Sequence, residues 1–102
     1  GGRQLVAGES TIKPLTRIAK KYGDQMTIMM DSGMRSGPDI ARTLASGAKF
    51  AFMGRSFMYG VSALGNEGGN HTISLMKTQL KQVMEQICCE KVEDLPQHLI
   101  LK

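Results

Sequence analysis

The sequence predicts an α/β fold, the C-terminal portion of a (β/α)8 barrel, in the order helix, strand, helix, strand, helix across residues 1–102. Three observations predict it. Amphipathic segments alternate with two short, nearly continuous apolar runs, residues 26–30 and 50–53. Such runs suit strands covered on both faces, as in a parallel sheet with helical crossovers. Each run also leads into a loop of Gly, Ser and Arg. Finally, the units repeat: Gly23 to Gly47 and Asp31 to Arg55 are both about 24 residues apart, a plausible βα period. Two strands cannot close such a sheet, and a whole barrel needs roughly 200 residues or more. The chain is therefore expected to form the last part of one barrel domain.

The elements follow in order. Ser10 and Thr11 are good caps, Pro14 suits a first turn, and Leu15, Ile18, Ala19 and Tyr22 recur at helical spacing before Gly23. The run 26–30 then reads as a strand, and loop 31–37 as turn chemistry. Ser36, Pro38 and Asp39 open a second helix with Ile40, Ala41, Leu44 and Ala45 as its buried stripe, ended by Gly47. The second strand, 50–53, turns out through Gly54, Arg55 and Ser56 into a helix reaching Leu64. A Gly-rich break, 65–70, precedes a long helix over 72–89. Its apolar stripe is Ile73, Met76, Leu80, Val83, Met84 and Ile87, with Lys77, Gln79, Lys81 and Gln82 opposite. The tail ends around Leu95 and Pro96. Met26, Met29, Met30, Met53, Met76 and Met84 are expected to fill core space rather than recognise a ligand.

Composition narrows the function classes. Hydrophobic residues make up 41% of the chain, against disorder. No apolar run approaches the roughly 20 residues that span a bilayer, and no secretory signal opens the chain. A cytoplasmic location is the expectation. The net charge of +4 admits an anionic ligand, but scattered Lys and Arg and few aromatics argue against nucleic acid. Cys88 and Cys89 lack metal-ligand spacing and read as free thiols.

The chemistry concentrates in loops 31–37 and 54–56, each at the C-terminal end of a strand, where barrel enzymes carry their sites. Gly33, Gly37 and Gly54 let backbone N–H groups approach a ligand. Arg35 and Arg55 can donate paired hydrogen bonds to phosphate oxygens, and helix N-termini favour anions. Either loop alone reads more readily as an ordinary βα turn with a surface arginine; two in successive repeats favour an anion site. Asp31 would repel phosphate, so it suits a sugar-like hydroxyl or nearby N–H groups.

The segment from Asp31 through Gly33, Arg35, Gly37 and Asp39 to Ile40, then Ala45 to Ala48, then Met53, Gly54 and Arg55, resembles the signature of the FMN-dependent 2-hydroxy-acid dehydrogenases and oxidases. Gly1, Gly2, Arg3 and Gln4 resemble the end of that family's His-Gly-Gly-Arg-Gln motif, and the likeness covers essentially the whole chain. Val6 stands where many members carry Asp.

The resemblance implies a TIM barrel that oxidises a small L-2-hydroxy acid, L-lactate first, with FMN as cofactor. It implies that Arg3 binds the substrate carboxylate, and that Asp31, Gly33, Arg35, Gly54 and Arg55 contact FMN. It places the catalytic His immediately before Gly1, so the chain alone is expected to be inactive and to need the remainder of the barrel. His71 and His98 are expected to be solvated. No metal is implied. Homo-oligomers are common in the family, and some members associate peripherally with the inner membrane. Other phosphate-binding barrels, of the type II isopentenyl-diphosphate isomerase or IMP dehydrogenase kind, share the later pattern but not the opening one. A non-catalytic fragment that self-associates through open strand edges is the reading from outside enzymes.

Overall fold

A computed structural model of the chain describes residues 10–99. Helix α1 (Ile12–Tyr22) follows Thr11, which makes no side-chain cap bond, and buries Leu15. Gly23 closes it in the right-handed conformation, its N–H donating to the Ala19 carbonyl at 2.8 Å.

Strands β1 (Met29–Met30) and β2 (Phe50–Ala51) pair in parallel, Met29 opposite Phe50 and Met30 opposite Ala51. Flanking bonds from Lys49 N–H to the Ile28 carbonyl (2.8 Å) and from Phe52 N–H to the Met30 carbonyl (2.9 Å) extend the ladder. The parallel pairing is as expected. The strands are shorter than the apolar runs, because each has only one neighbour among the described residues and the other half of its backbone groups finds no ladder. Burial on both faces is also corrected. Met29 and Phe50 are 56% and 55% exposed, and Met26 and Phe52 are exposed as well. Phe50 and Phe52 lie two apart and so share a face; their ring centroids are 5.0 Å apart, so they partly shield each other.

Helix α2 (Gly37–Ala45) lies beside β2, and Ala41 and Thr43 are buried in it. Helix α3 (Arg55–Leu64) runs through a single 3-10 turn, Gly65–Glu67, into α4 (Gly68–Gln86). The Gly-rich break is thus one turn, and α4 starts four residues before the expected Thr72. The reason is packing: Gly60 and Gly68 face each other where α3 and α4 meet, and a Cβ on either would run into the other helix. The Thr72 hydroxyl turns back onto the Gly68 carbonyl at 2.8 Å.

Ala41, Cys89 and Leu95 form the buried cluster, flanked by Leu44, Ala45, Leu80, Val83 and Met84. Leu95, only 1% exposed, comes from the 3-10 segment Val92–His98, so the tail is part of the core. Met76 is buried as expected, whereas Ile73 and Ile87 are exposed. Both cysteines are free thiols; Cys89 is buried with its Sγ on the Lys91 carbonyl.

Candidate functional site

Both Gly- and Arg-bearing loops leave the same end of the parallel strand pair, because each follows its strand toward a helix. In the first, Asp31 is exposed and its Oδ1 accepts a hydrogen bond from the Ser32 hydroxyl. Ser32 (φ 77) and Gly33 (φ 83) both take the left-handed conformation. For Gly33 that conformation is the reason for glycine, since a Cβ there would meet nothing within 4 Å. Met34, 4% exposed, plugs the loop into the protein.

Arg35 is exposed, yet its main chain is held on both sides. Its N–H donates to Asp39 Oδ2 at 2.9 Å, and its carbonyl accepts from the Ser56 hydroxyl at 2.8 Å. The second bond joins the two loops. Asp39 Oδ2 also accepts from the Ser36 hydroxyl, while Oδ1 lies 3.5 Å from Arg42 Nη1.

The start of α2 is filled by the protein itself. The Gly37 N–H donates to Gln79 Oε1 of α4 at 2.7 Å, Pro38 has no N–H, and Asp39 places a carboxylate in the first turn. Gly37 is buried and its Cβ position is filled by α4. This corrects its assignment to an anion-approach role: it is glycine so that α2 can touch α4.

The start of α3 is different. Gly54 is exposed, with open space where a Cβ would stand, and its carbonyl accepts from Phe57 and Met58. The N–H groups of Arg55 and Ser56 have no acceptor among the described residues, and the first turn has no acidic residue. Arg55, half-buried, is the first residue of α3. The structure therefore brings Asp31, Gly33, Arg35, Gly54 and Arg55 onto two joined loops. Arg3 lies outside the described residues.

The donor set suits a phosphate group: two helix-terminal N–H groups without acceptors among the described residues, an open approach at Gly54, and two guanidinium groups on loops tied together. Among the described residues no His, Cys, Asp and Glu cluster could hold a metal. His71 and His98 are exposed. Sequence reasoning missed the loop-joining role of Ser56 and the helix-capping role of Gln79, since contacts across 21 and 42 residues leave no local pattern.

The chain matches the model of the FMN-dependent dehydrogenase family over residues 1–102 and belongs to that family. The family uses FMN and comprises hydroxy-acid oxidoreductases. It is 33% identical over 102 residues to an L-lactate dehydrogenase of Caulobacter sp. (strain K31), covering 100% of this chain and 27% of that one. Over 104 residues it is 36% identical to an FMN-dependent alpha-hydroxy acid dehydrogenase of Schizosaccharomyces pombe, covering 100% of this chain and 26% of that one. Among solved structures it is similar to a soluble mutant of the membrane-associated (S)-mandelate dehydrogenase from Pseudomonas putida, with TM-score 0.90 and 34% identity, over 100% of this chain and 29% of that one. The chain spans about a quarter of the length of the curated relatives it matches. Among the described residues, no helix is long and apolar enough to cross a membrane.

Proposed function

We propose that this chain supplies the FMN-phosphate site and the substrate-carboxylate arginine of an enzyme that oxidises a small L-2-hydroxy acid, L-lactate foremost, to the 2-oxo acid. The observation that carries the reading is the α3 turn, whose Arg55 and Ser56 N–H groups have no acceptor among the described residues and which is tied to Arg35 through Ser56. Arg35 and Arg55 pair with phosphate oxygens. The Arg55 and Ser56 amides add hydrogen bonds at the positive end of α3. Gly54 keeps the approach clear, Gly33 shapes the loop, and Asp31 accepts a hydrogen bond from a ribityl hydroxyl. Arg3 grips the substrate carboxylate in a planar fork, which fixes C2 and its hydroxyl. FMN bound there would supply the two-electron acceptor for oxidation at C2. The base acting at C2 or its hydroxyl is proposed to be a His immediately upstream of Gly1; His71 and His98 are on neither loop.

In this reading the remaining strands of a (β/α)8 barrel cover Met29, Phe50 and their neighbours. L-lactate is favoured because relatives named L-lactate dehydrogenase recur, and mandelate is the competitor because of the structural relatives. The protein is placed in the cytoplasm, with peripheral attachment at the inner membrane suggested by a structural relative described as a monotopic membrane protein. The barrel is taken to be a homo-oligomer.

The test is the visible spectrum of the purified barrel protein without oxygen, before and after L-lactate or (S)-mandelate. Flavin bands that bleach with L-lactate support the proposal. Bleaching with mandelate alone moves the substrate, and a flavin indifferent to every 2-hydroxy acid contradicts it.

The bare sheet favours a second reading for the isolated chain, self-association through Met29, Phe50 and the open strand edges. A compact monomer on gel filtration would exclude it.

A further inference from the structure

We propose that Ser56 and Asp39 are positioning residues that clamp the Arg35 main chain and couple the two loops into one phosphate cradle; this rests on the phosphate reading above. Arg35 itself is exposed, so burial does not order its side chain. What orders it is its peptide backbone. Asp39 Oδ2 accepts the Arg35 N–H at 2.9 Å, and the Ser56 hydroxyl donates to the Arg35 carbonyl at 2.8 Å. The two clamps come from different helices, the first turn of α2 and the first turn of α3. Their consequences differ. Asp39 sets the turn within its own loop, bonding Ser36 as well. Ser56 fixes the distance between loops, so the guanidinium of Arg35 and the amides of Arg55 and Ser56 can meet the same group.

Ser56 thus has divided work: its N–H, without an acceptor among the described residues, faces the anion while its side chain holds the opposite loop. Alanine at 56 keeps the N–H and removes only the clamp. Preorganised donors bind tighter because less order is lost on binding. Neither residue touches the isoalloxazine or the substrate in this scheme, so their loss should act on the phosphate alone.

The experiment compares FMN with riboflavin, which lacks the phosphate, in the flavin-stripped barrel protein. Ser56→Ala is expected to weaken FMN about threefold to tenfold, the scale of one hydrogen bond, and to leave riboflavin affinity unchanged. Ser56→Thr, which keeps the hydroxyl, is expected to restore the ratio. Equal loss for both flavins, or no loss for FMN, overturns the clamp. Arg55→Ala separates the two levels. If it lowers FMN but not riboflavin affinity while Ser56→Ala is silent, the phosphate site stands and the clamp fails. If it does not discriminate the flavins, the phosphate reading fails and the clamp falls with it.

Discussion

The two helix starts that follow the paired strands occupy equivalent places in successive repeats, yet one is closed and the other open. At α2 the protein occupies most of its own start: Gln79 takes the Gly37 N–H, Pro38 offers none, and the Asp39 carboxylate supplies the negative charge, which leaves the Asp39 N–H without an acceptor among the described residues. At α3 the amides of Arg55 and Ser56 find no acceptor among the described residues, and no acid sits in the first turn. Both have a glycine at the turn, for opposite reasons. Gly37 admits helix α4, whereas Gly54 admits nothing belonging to the described chain. A repeat can therefore keep its geometry while one copy is packed and the other stays open.

The largest expected effect breaks the packed copy. Gly37→Ala puts a methyl 2.6 Å from the Gln79 carbonyl carbon, so α4 must move. A loss of about 3 kcal/mol is expected in denaturant unfolding, at the upper end for overpacking. Next comes the open copy. Arg55→Ala is expected to weaken FMN by roughly tenfold to a hundredfold, the worth of a charge-assisted bond, with stability nearly unchanged; equilibrium dialysis measures it. Gln79→Ala leaves the Gly37 N–H without its acceptor and is expected to cost about 1 kcal/mol of stability. Its FMN affinity should be preserved, which distinguishes a cap from a ligand contact. Smallest in stability is Gly54→Ala, expected to stay within about 0.5 kcal/mol because its Cβ has open space, while flavin titration shows weaker FMN. A large fall in stability there would mean that the open copy is a packing site after all. Outside the comparison, Arg3→Lys is expected to raise the KM for L-lactate, since one ammonium cannot copy the fork; unchanged steady-state kinetics would remove Arg3 from the substrate site.

Much of this was legible in residues 10–99. Periodicity gave α1, α2 and α4, since Leu15, Ala41 and Met76 are buried at the expected positions. The apolar runs marked the two strands and their parallel sense. Burial of Met29 and Phe50 was not legible, because a run shows that cover is needed without showing what provides it. The tail was missed for a related reason: Leu95 packs against α2 and α4, and a short 3-10 segment lacks a helical period. In the site, Arg35 and Arg55 stood out by residue type. The closure of α2 by Gln79 did not, because it depends on a tertiary contact.

The central claim is that phosphate engages the open start of α3 and not the closed start of α2. Residue-level amide hydrogen exchange of the barrel protein, loaded with FMN or with riboflavin, tests it most directly. The Arg55 and Ser56 amides are expected to exchange more slowly with FMN than with riboflavin, while the Gly37 amide, already bonded to Gln79, exchanges alike in both. Protection by FMN at Gly37 with none at Arg55 and Ser56 would contradict the account.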